Sequence, residues 1–531
     1  MDKQALDRIV SVTNGVGDIS SVEYADATAG GIVKLSGARL TTYPDHAVST
    51  TGKLVSRLIK GNGIASNRSQ TYQYWDPAVN VKGRGSLGFG SVVETDEQTG
   101  IVTTSTYNQV WPFTGTLRTS SQVVGGVTIS DTVNTPASKA IVQANNSSTT
   151  FVYDSSSKTC RRDLGNGIDL GCSTTTNTYG DNFGNLTNQQ VVQQLADGSG
   201  TKFTTETATA FQACATNWMP GLPQSVALTK SDSGASVTRT QTFEYDCVTG
   251  LLLSDTVEPG TQQYQVKTTY GRANPFGVVN TKTQAWYAPQ SGGNVTRVAF
   301  DVAYDGNGRY PVTVNTWTDA THQYGETVTY DAATGARRAS RDANGLTTSW
   351  EVDGFGKVTK TLRPDGNETR DYAKLCRGDC PLGATVARIS DNFHDASRIT
   401  VPAVTYFDSV GHQLRVLTWG FDGRAINVDQ RYDAMGRLFE SDWPRFDNAS
   451  AYLSSRQYYD VLNRPTTTVT RDEFGTEQST SVAYQGLTTV HTNAKRQKRT
   501  DKRNVAGELV EVIDDNNLST VFGYELSLIH I

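Results

Sequence analysis

Apolar and polar residues alternate through most of this chain in short runs, each closed by a small polar turn. Val428-Asp429-Gln430-Arg431-Tyr432 and Thr466-Thr467-Thr468-Val469-Thr470 show the loose period of two expected of a strand with one packed and one wet face. The runs are rich in Thr, Val, Tyr and Trp, whose branched or ring side chains suit a pleated, half-buried surface. Asn344-Gly345, Asp365-Gly366, Asp422-Gly423, Phe474-Gly475 and Asn516-Asn517 punctuate them. Asp, Asn and Gly tolerate positive φ, and Asp and Asn side chains accept bonds from nearby backbone amides, so these are tight turns between short strands.

A second set of turns lies between the first and carries a signature, an aromatic-Asp pair followed by Gly. Copies are Tyr245-Asp246 with Gly250, Tyr304-Asp305 with Gly308, Tyr330-Asp331 with Gly335, Phe407-Asp408 with Gly411, and Tyr432-Asp433 with Gly436. Asp353 with Gly356 lacks the aromatic, and Tyr459-Asp460 with Asn463 and Asn504 with Gly507 are degenerate copies. Self-similarity at a period of roughly 20 to 27 residues marks an array in which each unit buries its apolar side only against its neighbours. The unit is a β-hairpin, so the chain is expected to be all-β with little helix. Each signature Tyr should lay its ring across the hairpin, with its hydroxyl at solvent or a neighbouring turn.

Composition agrees. The 531 residues include 9% aromatics but only 3 Met, against 49 Gly. Mean hydropathy is -0.44, and no apolar run approaches the roughly 18 residues of a membrane span. A formal charge of -5 gives no overall attraction to nucleic acid or an acidic membrane. Met1 to Val10 carry Asp2, Lys3, Asp7 and Arg8 without an apolar core, so no signal peptide is visible.

Catalytic and cofactor motifs resolve into turns. Gly83-Arg84-Gly85-Ser86-Leu87-Gly88 matches GxGxxG, but a strand-like segment follows where a nucleotide site needs a helix. No Ser has Gly at both -2 and +2, and no HExxH or P-loop occurs. The histidines at 46, 322, 394, 412, 491 and 530 lack ligand spacing. Asp342-Ala343-Asn344-Gly345 and Asp305-Gly306-Asn307-Gly308 lack the terminal Glu of a calcium loop and read as turns. No cofactor, metal or catalytic residue is assigned. Cys160 with Cys172, and Cys376 with Cys380, could each close a loop by disulfide in an oxidising compartment, leaving Cys214 and Cys247 as buried thiols. Arg377-Gly378-Asp379, between Cys376 and Cys380, is too short a match to carry adhesion. Lys495-Arg496-Gln497-Lys498-Arg499-Thr500-Asp501-Lys502-Arg503 has no interleaved aromatics for base stacking and reads as a solvated strand and turn.

Tyr432-Asp433-Ala434-Met435-Gly436-Arg437-Leu438, Asp353-Gly354-Phe355-Gly356-Lys357-Val358 and Tyr459-Asp460-Val461-Leu462-Asn463-Arg464-Pro465 resemble the Rhs or YD repeats of bacterial polymorphic toxins and toxin-complex proteins, in register over roughly residues 150 to 525. Upstream, Gly83 to Gly90 and Trp111-Pro112-Phe113-Thr114-Gly115 resemble the segment before the repeats in relatives of the toxin-complex B component and SpvB. The resemblance implies a β-rich region over 1–115 and a repeat array over 116–525 that winds into a spiral shell. It further implies a non-enzymatic scaffold that encloses its own C-terminal toxin domain and works with delivery or toxin-complex partners, secreted or at the bacterial surface. The family's self-cleaving core and toxin map onto no residue here.

Two other classes stay open: an adhesion or carbohydrate-binding module using Trp317, Trp350 and Trp419 as sugar platforms, and a glycosidase-like enzyme with a nonlocal carboxylate pair. Carbohydrate is thus a partner to weigh; nucleic acid and membrane insertion by this segment are not expected. Leu526-Ser527-Leu528-Ile529-His530-Ile531 can be encoded by a transposon-end sequencing adapter, so residues 526–531 are expected to be an artefactual tail on a longer protein.

Overall fold

The alternating runs become strands, and nearly every strand pairs antiparallel with the next along the chain. The computed structural model describes residues 8–28, 31–36, 42–49, 52–63, 67–142, 147–214, 217–317, 323–449, 454–472 and 474–524. The adapter-like tail, with His530, and His322 lie outside the described residues. The strands form one 40-stranded ladder that does not close on itself: Ser11–Thr13 pairs at one end with Ile19–Asp26, and Ser519–Val521 at the other with Leu509–Ile513. The parallel pair Val33–Lys34 with Arg68–Asn80 is a local exception. The described helical segments are single 3-10 turns at Pro289–Ser291 and Pro381–Gly383. The expected all-β array of antiparallel hairpins is what the chain forms.

Because each strand reverses direction, successive turns fall on opposite rims of the ladder. The signature turns at 246–250, 305–308, 331–335, 353–356, 408–411, 433–436, 460–463 and 504–507 share one rim. The turns at 342–345, 363–366, 420–423, 472–475 and 514–517 share the other, as do 14–17 and 163–167 near the start.

These rims meet. Asn14 Nδ2 donates to the Ser409 carbonyl at 2.8 Å and Asn62 Nδ2 to the Ala434 carbonyl at 3.0 Å. Arg464 Nη1 reaches Asp163 Oδ1 at 3.2 Å, and the Gly486 amide donates to Asp163 Oδ2 at 2.9 Å. Partners 395, 372, 301 and 323 residues apart advance along the chain together, so the signature rim of the later strands sits on the opposite rim of the earlier ones. The sheet is a spiral whose second winding stacks on the first.

A wall one sheet thick cannot bury both faces of its strands, and the apolar core is correspondingly thin. Among the described residues Val328, Asn427, Asp163, Asp391 and Asp429 are almost wholly buried, and four of these five are polar. Charge and hydrogen bonding do much of what a core does elsewhere. Strand Ala425–Tyr432 forks, its first half pairing with Arg445–Phe446 and its second with Leu438–Asp442. At the fork Asp429 Oδ2 accepts from Arg415 Nη2 at 2.8 Å and Arg445 Nη2 at 2.6 Å, while Arg431 Nη1 donates to Asp442 Oδ1 at 3.0 Å. The chain of charges continues through Glu440 and Arg456 to Glu477 and Arg471. Removing Asp429 would leave the half-buried guanidinium groups of Arg415 and Arg445 without their shared carboxylate, a larger loss than the pair's own attraction.

Cys160 is bonded to Cys172 across paired strands, and Cys376 to Cys380 around the Arg377-Gly378-Asp379 loop. The expectation of free thiols elsewhere is corrected: Cys214 is bonded to Cys247, 33 residues on, because neighbouring turns on the signature rim bring their Cα atoms to 5.2 Å. Thiol titration of the protein unfolded without reductant should find no free cysteine, and reduction should release all 6. Two reactive thiols before reduction would contradict the Cys214–Cys247 bond.

Candidate functional site

The chemistry of this chain concentrates in its signature turns. In turn 433–436 the Asp433 amide donates to the Arg437 carbonyl at 2.9 Å, and Asp433 Oδ1 accepts from the amides of Met435 at 2.9 Å and Arg437 at 3.0 Å. One carboxylate oxygen thus satisfies amides the reversal leaves unpaired. Gly436 sits at φ +75°, a region costly for residues with a Cβ; in the next copy Asn463 takes it at +63°. Asp353 and Asp408 bind the amides two and four residues on in the same way, and so does Asn504. Asp246, Asp305 and Asp331 cap slightly longer or shifted turns closed by Gly250, Gly308 and Gly335.

The second carboxylate oxygen does something the sequence reading missed. Asp433 Oδ2 holds Arg437 Nε at 2.8 Å, and the Arg437 guanidinium lies 4.7 Å over the ring of Tyr459 in the next unit. Asp460 holds Arg464 at 2.7 Å, and Arg464 lies 4.1 Å over Tyr484. Asp408 holds His412 Nδ1 at 2.8 Å, and His412 stacks 4.3 Å from Tyr432. Each Tyr then donates its hydroxyl to the carbonyl two residues after the previous turn's Gly or Asn: Tyr432 to Gln413 at 3.1 Å, Tyr459 to Leu438 at 2.9 Å, Tyr484 to Pro465 at 2.9 Å. Tyr304 binds Val279 likewise at 3.1 Å. Of the two places expected for the hydroxyl, solvent or a neighbouring turn, these positions take the second, as a latch just beyond the preceding turn. Tyr330 stacks on Tyr310 at 4.9 Å, and Tyr245 lies 6.5 Å from Phe243.

The same turns form the seam. Arg464, fixed by Asp460 and spread over Tyr484, also grips the buried Asp163 of the earlier winding. Gly63 packs so closely on Asp408 that a Cβ there would collide with its carboxylate. Two cavities of about 380 and 390 Å³ follow the seam, one between Arg161, Gly171 and Val505, the other between Phe203, Lys230, Asn504 and Tyr524.

The other candidates separate. Trp317 and Trp350 stand on strands with Gln323–Tyr330 and Arg337–Arg341 between them; four further strands separate Trp350 from Trp419. At ~4.8 Å per strand these gaps are roughly 14 and 24 Å, too wide for one aromatic platform. The buried carboxylates Asp391, Asp429 and Asp442 are each bound to Arg. Residues 83–88 lead into strand Gly85–Asp96, with no helix for a phosphate. Around the one described cluster with metal-ligand proximity, Cys376 and Cys380 are joined in a disulfide. Asp379 is folded back on the Arg377 amide at 2.9 Å and paired with Lys374, which holds its carboxyl at about 2.

The turn carboxylates of Asp246, Asp331, Asp365 and Asp422 are held below their usual range by the bonds they accept. In Asp331 the Arg338 guanidinium dominates; in Asp246, Asp365 and Asp422 the amides of Val248, Asn367 and Arg424 do. A folded pKa below the unfolded Asp value of about 3.9 gives stabilisation that is complete above that value and lost as pH falls toward the folded one. The melting temperature should therefore be level between pH 7 and 5 as far as these groups act, and decline below pH ~4. Calorimetry showing greatest stability near pH 3 would contradict the turn assignment.

A family model described as the insecticide toxin TcdB middle/N-terminal region matches residues 6–115. No relative among curated proteins matches the chain. Among solved structures it is similar to TcdB2-TccC3-TEV at TM-score 0.71 and 10% identity, over 95% of this chain and 37% of that one. TcdB2-TccC3-Cdc42 gives 0.67 and 10% over 94% and 37%; the Photorhabdus luminescens Tc holotoxin pore gives 0.62 and 11% over 95% and 37%. The chain spans little more than a third of the length of these structures. At such identity the likeness is one of fold.

Proposed function

We propose that this chain is a non-enzymatic section of a shell wall that encloses a C-terminal toxin domain lying outside this sequence and helps to deliver it with toxin-complex partners. The observation that carries the reading is the seam: the repeat turns seat one winding on another, turning a thin sheet into a continuous wall. The match over residues 6–115 and the likeness to toxin-complex structures support it. On this reading 1–115 is the wall segment that leads into the repeat array of 116–525. Secretion or display at the bacterial surface is supported by the three disulfides, which persist in oxidising compartments.

The reading is tested on the full-length protein with its downstream domain. In the native protein that domain should resist added protease. Arg464→Ala, which releases Asp163, Asp460 and Tyr484 together, should open the wall and speed cleavage of the domain by about tenfold or more, as expected for losing a part-buried ion pair. Equally rapid cleavage in both proteins would refute enclosure.

A further inference from the structure

Each winding has two rims, and the seam covers only one of each. The signature rim of the second winding rests on the first; the signature rim of the first winding faces away from the second. The repeat supplies its own comparison. At the seam Val410, two residues after Asp408, packs on Gly63, and Val505, next to Asn504, packs on Gly171. Val248 stands two residues after Asp246 on the uncovered rim and is 76% exposed, against 40% for Val410. In the turn before it Trp218 sits at φ +49°, a region costly for a bulky side chain, with its ring outward and the residue 57% exposed. Asn217 Nδ2 donates to the carbonyls of Cys247 at 2.8 Å and Val248 at 3.3 Å, and the Cys214–Cys247 bond ties the same two turns. Phe183, one turn earlier, stands edge-on to the Trp218 ring at 5.7 Å. Three successive turns thus hold a rigid apolar patch in place, with Trp218 as the kind of anchor that dominates protein interfaces.

The seam also shows what fits this rim. Asp163 meets Arg464 and Gly486, Gly171 meets Val505, and Phe203 and Lys230 share a cavity with Asn504 and Tyr524. The strands from Asp169–Thr178 to Met219–Ser231 are therefore stacked end to end with those from Thr488–Thr492 to Ser519–Val521. The far ends of this stack are turns 179–187 and 215–218 on one side and turns 493–496 and 514–517 on the other, and they are complementary. The first pair brings Phe183, Trp218 and Asp181 with no Lys or Arg of its own; Lys139 reaches it only at the carbonyls of Tyr179 and Asp181. The second pair brings Lys495 and Arg496 at one tip and Leu518, 68% exposed, beside the other. The Lys498 amide, on Asp515 Oδ1 at 2.8 Å, joins those two turns. We infer that this chain docks head to tail on a second copy of itself, the signature rim of one first winding seated on the free rim of the other's second winding. The contact repeats the seam between molecules, with Asp181 and Phe183 facing Arg496 and Trp218 facing Leu518. It uses a different face of each partner, so the stack is open-ended. It rests on the seam and not on toxin enclosure.

Sedimentation velocity of the full chain over a concentration series tests it. The native protein should form species that grow with concentration. Trp218→Asp spoils one face and Arg496→Asp the other; both positions have positive φ, which Asp tolerates. Each variant alone should associate about tenfold or more weakly than the native protein, the effect of losing an anchor or reversing a charge opposite Asp181. Mixed in equal amounts, the two should give a dimer and nothing larger, because each retains one intact face. Phe183→Ser and Leu518→Asp supply a second pair, and unaltered melting temperatures identify the folded variants. A native protein that stays monomeric throughout, native association by a folded Trp218→Asp or Arg496→Asp protein, or a mixture that stays monomeric would each overturn the assignment.

Discussion

A single carboxylate used twice holds this structure together. One oxygen of the turn Asp closes its own reversal; the other fixes an Arg or His that covers the Tyr of the next hairpin. That Tyr bonds back to the preceding unit, so the units that open at Asp408, Asp433 and Asp460 are each fastened to the next by a polar contact, a ring contact and a backbone bond. Strand pairing alone fixes neighbours within the ladder but leaves its rims bare. With Asp, Arg and Asn at the turn tips, the rims acquire the groups that join one winding to another.

The same economy accounts for the thin core. Among the described residues few large apolar side chains are buried, yet Asp163, Asp391, Asp408, Asp429 and Asp442 are. A buried carboxylate is costly unless paired. Asp163 meets Arg464 at the seam, Asp408 meets His412 of its own turn, and Asp429 and Asp442 meet Arg at the fork. Such pairs add specificity where a slab of apolar contacts would tolerate slippage, because a one-residue shift in register would separate Arg415 from Asp429 and Arg431 from Glu440.

The hairpin array was legible because its signals are local: period-two runs, Asx chemistry, and glycines where φ is positive. Two disulfide loops were legible for the same reason. The latch was half visible, since Arg437 and Arg464 follow their turns at a fixed offset, but their purpose depends on a Tyr in the next unit. The seam could not be read, because Asp163 and Arg464 are joined only by the curvature of the whole ladder. Cys214 and Cys247 escaped similarly, their pairing being set by adjacent turns on one rim.

The account stands on winding upon winding, and amide exchange at Gly486 tests this most directly. That amide donates to Asp163, 323 residues earlier, and no strand pairing would protect it in its place. In the native protein it should exchange slowly, and Asp163→Ala should speed its exchange, with that of the surrounding turn, by about tenfold or more, the effect of losing a charge-assisted bond, while strands distant from the seam keep their protection. Unchanged exchange at Gly486 in a folded Asp163→Ala protein would contradict the stacked spiral.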